Sequence, residues 1–562
     1  MPRDKRCWVV TGALPALAAL APPHCSVTLL DENVEQIDFG LLDRFDVIGV
    51  TGMIVQRRRM REILQNLQSL PAMIVVGGPY ASVAEDAFAG LCDVTFVGEA
   101  EHTWPAFLTA LAAGEPTAKR YEQLERTDMR SVPVPRYDLL KADRYQMASL
   151  QFSRGCPFLC EFCDIITVFG RKPRAKSPEQ MLAECEAVRR AGLRRCFLVD
   201  DNFIGNKKEA RRLLVTLIAW QLRNNYPLEF YTEASIDLAE YPDLIELMVQ
   251  ANFNQVFIGI ESPRAKSLAE TRKVQNIRGD SMENKIRRIR DGGLVVQAGF
   301  IVGFDSDDES IFDEQFEFIQ RTGIAQALVA RLSPVPTTPL YARLAAEGRL
   351  DFADDEIVFR PMRMSRDALK RGHAELVRRL YEPDSYFGRL FAGYREIAGV
   401  SPSSRRAPSR RRAAKNCSRA VCCHGGHCSG IEARSCHAAG RNAEAAWWRL
   451  PARLVAAQPA ARSRRHTVPR LCRHVRDPLA FLQYGATAAR RYIRQRRSHR
   501  GICGRLAFWC FRSRPDQAAA RCACGAGLPT PRSDRVDDYG DLWGRAACAV
   551  MVRPLGTIGN WG

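Results

Sequence analysis

The stretch SLQFSRGCPFLCEFCDI, Ser149–Ile165, decides how this chain is read. A strand-like run ends at Arg154–Gly155, and Cys156, Cys160 and Cys163 follow at once with the spacing C-x3-C-x2-C. Thiolates are the preferred ligands of iron–sulfur clusters. Three on one loop can reach three corners of a four-iron cluster and leave one iron open to another ligand. Zinc would want a fourth Cys or His close by, and this loop has none near enough to finish a tetrahedron. Three unrelated buried thiols are the remaining alternative. Placement at the first strand of a βα series favours the cluster.

Downstream, the pattern alternates. The strands SLQFSRG, RCFLVDDN, LEFYTEAS, QVFIGIES, VVQAGFIVGF and ALVARLSPV are separated by helical runs such as SPEQMLAECEAVRRAG, NKKEARRLLVTLIAWQLRN, YPDLIELMVQAN and SMENKIRRIRDG. Six βα units in succession predict a barrel or partial barrel over residues 146–345, with reactivity at the carboxyl ends of the strands. A helical section over 346–400 follows.

Upstream, SVTLLDE, DVIGVTG, AMIVVGG and VTFVG are short apolar strands, with helices such as QRRRMREILQNLQSL between them. They predict an α/β domain over residues 1–130, an open parallel sheet wound on both faces. Ligands of such sheets bind at the strands' carboxyl ends, where Thr51, Gly52, Gly77, Gly78, Pro79, Gly98 and Glu99 fall. Tight βα turns explain the same glycines equally well. Residues 116–147, with SVPVPRYDLL, read as a connector.

The formal charge of +19 is unevenly spread. Residues 401–562 hold 31 basic and 8 acidic side chains, whereas the first 400 residues hold 51 and 55. The enzyme-like part is thus slightly acidic, and no nucleic-acid partner is expected of it. The tail, rich in Arg, Ala and Cys with a single lysine, cannot readily bury a core. It reads as a low-order segment or as a G/C-rich frame translated out of register. Asp477–Arg497 could still form a basic amphipathic helix. MPRDKR with its apolar sequel has the outline of a signal peptide. A buried helix ALPALAALA is preferred, because export would oxidise the cluster. No run of about 20 apolar residues is present, so a cytoplasmic protein is expected, with peripheral membrane contact left open.

The sequence C-x3-C-x-aromatic-C, with Phe162 in the aromatic slot, resembles the signature of the radical S-adenosylmethionine superfamily. The resemblance implies a [4Fe–4S] cluster on Cys156, Cys160 and Cys163 whose open iron takes S-adenosylmethionine. Reductive cleavage then gives a 5′-deoxyadenosyl radical, with an electron donor such as a flavodoxin or ferredoxin. Phe162 would pack near the adenine. Asp200, Asp201, Asn202 and Glu233 end the second and third strands, near where such enzymes meet the methionyl amine. Glu261 resembles the ribose position, and Gly299 and Gly303 the glycines beside adenine. A helix-cap or turn role is the alternative for each.

The pieces VTLLDENVE, VIGVTGM, VVGGPYAS and FVGEAEHTWP resemble a cobalamin-binding domain without the Asp-x-His-x-x-Gly cobalt-ligand motif. Its usual first strand looks missing. Over about residues 10–390 the chain resembles the cobalamin-dependent radical enzymes that include hopanoid C-2 methylases. SLQFSRGCPFLCEFCDI, VDDNFIGNKKEARR, SPVPTTPLYARL and YEPDSYFGRLFAGY carry the likeness. It implies methylation of an unactivated carbon on an apolar substrate. A radical cyclase of the same plan is an alternative. A tRNA methylthiotransferase is another, with Cys7, Cys25 and Cys92 holding a second cluster. A third is a metal- or nucleic-acid-binding protein acting through Cys422, Cys423, His424, His427 and Cys428.

Overall fold

The computed structural model describes residues 7–354, 356–399 and 548–554. The strands in chain order are β1 (Cys7–Val9), β2 (Cys25–Asp31), β3 (Val47–Thr51), β4 (Met73–Gly77), β5 (Val94–Gly98), β6 (Arg120–Gln123), β7 (Tyr145–Leu150), β8 (Ser153–Arg154) and β9 (Arg174–Ala175). They continue with β10 (Arg195–Leu198), β11 (Glu229–Ala234), β12 (Phe253–Glu261), β13 (Val295–Val302), β14 (Ala327–Arg331) and β15 (Cys548–Pro554). These form a six-stranded sheet ordered β2-β15-β3-β4-β5-β6, a seven-stranded sheet ordered β1-β7-β10-β11-β12-β13-β14, and a β8–β9 hairpin.

Valines and isoleucines on alternate faces give the first sheet two apolar surfaces. Val47, Val75 and Phe96 pack against Leu14, Trp104 and Phe107 of helices Ala13–Leu20 and Thr103–Ala112. Ile48, Ile74 and Val76 pack on the other side against Met60, Ile63 and Leu64 of helix Arg57–Leu67. This is the doubly wound α/β arrangement expected. Arg120–Gln123, read as connector, extends it as β6.

One strand of this sheet comes from the far end of the chain. β15 runs antiparallel to both β2 and β3, with Met551 opposite Thr28 and Ile48. Val550 and Val552 enter the cluster of Val47 and Trp104, and Met551 that of Ile48 and Met60. An unbroken apolar run is what a strand buried on both faces requires. The expectation of low order across 401–562 therefore fails at Cys548–Pro554. The rest of that tail, with Asp477–Arg497 and the Cys422–Cys428 group, lies outside the described residues. Near the start, Cys7–Val9 does form a strand, but it pairs parallel with β7 in the other sheet.

In the second sheet every neighbouring pair is parallel. Cys196, Leu198, Phe230, Val256, Ile258, Val296 and Phe300 are buried in one core with helical residues such as Cys185, Leu214, Met248, Ile289 and Phe318. This is the parallel partial barrel expected, with one local correction. The run SLQFSRG is not one strand. β7 stops at Leu150, because Asp200 accepts the N–H groups of Phe152 and Ser153 at 2.8 Å each. That turns Ser153–Arg154 into an antiparallel pair with Arg174–Ala175. Helix Arg366–Leu380 covers the outer edge strand, with His373 Nε2 3.0 Å from the Val329 carbonyl. The Tyr381 hydroxyl donates to the Ala327 carbonyl at 2.8 Å.

Candidate active site

The three cysteines lie in the loop between β8 and β9, at the carboxyl end of the barrel strands. Gly155, at φ +97°, starts the loop, and a Cβ there would stand 2.8 Å from the Gly170 carbonyl oxygen. Its N–H donates to Asp201 Oδ2 at 2.7 Å. Burial raises the Cys156 thiol and pushes that of Cys163 up to about 12. The N–H groups of Phe158 and Ile165 oppose this by donating to the two sulfurs. Gln275 Nε2 lies 3.6 Å from Cys160 Sγ. N–H groups aimed at sulfur are what a thiolate ligand set uses. Among the described residues no three His, Cys, Asp or Glu side chains converge on a single ion. Three thiolates on one loop match the ligand number of a four-iron cluster with one open iron.

Next to the loop stands a group of carboxylates from successive strand ends. Asp200 is buried and accepts three hydrogen bonds from Phe152 and Ser153. Burial first, and then neighbouring acids, lifts Asp200 to about 7 and Glu233 to about 7. Asp201 rises to about 6, chiefly through burial. Three acids poised to lose protons beside the loop suit a cationic ligand such as the amine and sulfonium of S-adenosylmethionine. Asn202 joins them, held by Ser235 at 3.0 Å.

Glu261 breaks the β12–β13 register at φ +64° and accepts from Lys273 Nζ at 2.7 Å. That pair lies over Gly259, where a Cβ would meet Glu261 Oε1 at 2.4 Å. The Phe162 ring sits 6.0 Å from that of Phe304, with Lys273 Nζ 5.9 Å above Phe162. Phe162, Glu261 and the Gly303–Phe304 turn are thus brought together. Protein packing accounts for the two glycines of β13 and its turn: a Cβ at Gly299 would strike the Phe257 ring, and one at Gly303 would strike Leu369.

The carboxyl edge of the first sheet gathers Thr51, Gly52, Gly77, Gly78, Pro79 and Gly98. Gly78 crosses Thr51 at φ +93°, and a Cβ there would lie 2.2 Å from Thr51 Oγ1. The Gly98 N–H donates to Ser82 Oγ at 2.9 Å. Met53 and Val55 stand exposed on the rim. Small residues with an apolar rim fit a broad, flat ligand such as a corrin. Glu99 does not face that edge freely. It is buried between Arg154 at 3.0 Å and Arg174 at 2.8 Å, and it accepts the Thr127 N–H at 2.7 Å. Arg154 also pairs with Glu101 at 2.6 Å. Glu99 therefore ties the sheet to the cluster-loop hairpin.

Sequence reasoning missed the face of the barrel turned away from its helices. Phe197 stacks on Tyr231 at 4.6 Å, and the Tyr231 hydroxyl donates to Gln297 Oε1 at 2.9 Å. Gln297 in turn donates to Gln255 at 2.6 Å. The signal was present in the period-2 alternation of FYTE and VVQAG. Cys7, Cys25 and Cys92 fall against three different apolar clusters, which leaves no second cluster site among them.

A partial parallel barrel with a three-cysteine loop at its carboxyl end defines an α/β enzyme built around an iron–sulfur cluster. The Radical SAM superfamily profile matches residues 150–319, and that of a domain of unknown function, DUF4070, matches 338–430. An uncharacterised methyltransferase of Synechocystis sp. is 40% identical over 67% of this chain and 71% of its own length. The hopanoid C-2 methylase of Rhodopseudomonas palustris is 33% identical over 69% and 74%. The cobalamin-dependent S-adenosylmethionine radical enzyme OxsB, solved with aquacobalamin and S-adenosylmethionine, is 17% identical at a TM-score of 0.49, covering 64% of each chain. The chain belongs to the radical S-adenosylmethionine superfamily, in the group that holds these methylases, and its reaction uses a [4Fe–4S] cluster and S-adenosylmethionine.

Proposed function

We propose that this enzyme methylates an unactivated carbon of an apolar substrate, with cobalamin as a third cofactor. The observation that carries the reading is the joining of two ligand edges: the glycine edge of the first sheet and the cluster loop of the barrel, bracketed by Glu99, Arg154 and Arg174. When bound, the cluster with S-adenosylmethionine supplies a radical that abstracts hydrogen, and cobalamin supplies a methyl group.

In this reading Cys156, Cys160 and Cys163 hold the cluster. Asp200, Asp201, Asn202 and Glu233 meet the cationic part of S-adenosylmethionine, Glu261 meets its ribose, and Phe162 packs on adenine. Gly299 and Gly303 make room for Phe257 and Leu369 behind that site. Thr51, Gly52, Gly77, Gly78, Pro79 and Gly98 form the cobalamin shelf, and Glu99 positions it from behind. Phe197, Tyr231 and Phe257 give the substrate an aromatic wall, consistent with an apolar, hopanoid-like polycycle. Residues 1–130 are then the cobalamin domain, 146–345 the radical barrel and 346–400 its helical cover, in a cytoplasmic protein reduced by a flavodoxin or ferredoxin. Among the described residues no helix is long and apolar enough to cross a membrane.

The test is anaerobic incubation with reductant, hydroxocobalamin, polycyclic lipids and methyl-labelled S-adenosylmethionine, followed by product mass analysis. Label in the product is expected. A modified product without label would replace methylation by cyclisation or rearrangement.

A further inference from the structure

The segment Thr271–Asn276 is absorbed by none of the roles above, yet it is clamped against the cluster loop from several sides. The Glu161 N–H, between two of the cluster cysteines, donates to the Thr271 carbonyl at 2.9 Å. Asn276 Nδ2 donates to the carbonyls of Gly259 and Ile260 at 3.0 and 2.9 Å, fixing the segment to the end of β12. The buried Lys285 ammonium holds its backbone through the Gln275 carbonyl at 3.3 Å and the Arg278 carbonyl. Within this frame Gln275 is 6% exposed and points its amide nitrogen at Cys160 Sγ, 3.6 Å away. Its Oε1 has no hydrogen-bond partner. The sulfur sets the orientation, because turning Oε1 toward a thiolate would oppose two acceptors.

We infer that Gln275 tunes the cluster, its amide N–H donating to the Cys160 ligand and holding the reduction potential of the cluster up. Reduction adds one negative charge to a cluster bound in a largely dry site. An N–H dipole aimed at a ligand sulfur stabilises that added charge more than it stabilises the oxidised state. Lys273, two residues earlier and paired with Glu261 at 2.7 Å, adds a half-buried ammonium nearby. Gln275 is thus a positioning residue for charge. It acts through Cys160 and decides how strong a reductant the enzyme needs.

The inference rests on the assignment of the cluster to the three cysteines. Its test needs neither substrate nor cobalamin, so its failure and the failure of the methylase reading can be told apart. The full chain is reconstituted anaerobically as wild type, Q275M and Q275L, and iron per chain is counted. The one-electron reduction of the cluster is then followed by potentiometric titration with dithionite, read by electron paramagnetic resonance. Both replacements are close to glutamine in size, carry no charge and cannot donate. At equal iron content both midpoints are expected below that of wild type. A Q275M midpoint equal to or above that of wild type overturns the inference. If only Q275M loses iron, Q275L against wild type decides in the same way. Loss of iron from both variants also overturns it, because Gln275 would then build the loop rather than tune it.

Discussion

Glu233 ends β11 among other acids, and burial first, then Asp201, Glu261 and Asp200, lift its carboxyl to about 7. An unfolded glutamate ionises near pH 4.3. Between those values the folded protein binds more protons than the unfolded chain, so the contribution of Glu233 to stability falls as pH rises. Without cofactors the protein should lose thermal stability between about pH 5 and 8. Glu233→Gln should remove roughly 2 kcal/mol of that loss, allowing for solvent screening. Differential scanning calorimetry across the range checks this, and an unchanged slope in the variant would refute the assignment. S-adenosylmethionine, a cation, should stabilise the protein more above pH 7 than at pH 5. Gly78 gives a steric counterpart. With φ at +93° and Thr51 Oγ1 only 2.2 Å from where a Cβ would stand, Gly78→Ala should cost about 1–3 kcal/mol in denaturant unfolding. Glycine at Gly78 was legible as a turn residue. That Thr51 lies beneath it was not, because the contact joins two strand ends.

At the scale of elements, β15 is the strand on which the first sheet depends. Val550, Met551 and Val552 are each at most 2% exposed. At roughly 1.5–3 kcal/mol per fully buried side chain, their loss rivals the ~5 kcal/mol lower end of a domain's whole stability. Deleting residues 540–562 should therefore melt the first sheet while the barrel keeps its iron. Limited proteolysis would then cut near β2 and β3, and a synthetic Cys548–Pro554 peptide should restore protection. Retained protection in the deletion without peptide would show that β15 is dispensable. The other strands of this sheet and of the barrel were readable, since valine and isoleucine runs alternate with amphipathic helices close by in sequence. β15 was not. Among the described residues its strand partners, β2 and β3, come from the far end of the chain, and arginine-rich surroundings masked it. The end of β7 was misplaced for a similar reason, since Asp200, 48 residues on, draws Phe152 out of the strand.

For the molecule as a whole, the decisive residues are those that join its two sheets. Glu99 was read from the sequence as a ligand residue because it follows Gly98 at a strand end, and strand position alone cannot separate a ligand contact from an internal ion pair. Buried between Arg154 and Arg174, it links β5 to the hairpin that launches the cluster loop. Tyr145, at the start of β7, adds a second tie to Asp31 of β2 at 2.8 Å. Breaking a buried pair by removing one partner typically costs about 3–5 kcal/mol, because the other charge is left unpaired. In Glu99→Gln, Arg154 keeps Glu101, but among the described residues Arg174 keeps no carboxylate, only neutral acceptors such as the carbonyls of Thr127 and Phe169. The loss should therefore concentrate in β8–β9 and at the end of β5. Hydrogen exchange should show faster exchange at Ser153–Arg154 and Arg174–Ala175 and unchanged protection in β11–β13. Combining Glu99→Gln with Arg174→Met should cost less than the sum of the two single changes, by about 1 kcal/mol or more. Strict additivity, or exchange that rises evenly across the barrel, would mean that Glu99 stabilises the protein without coupling its two sheets.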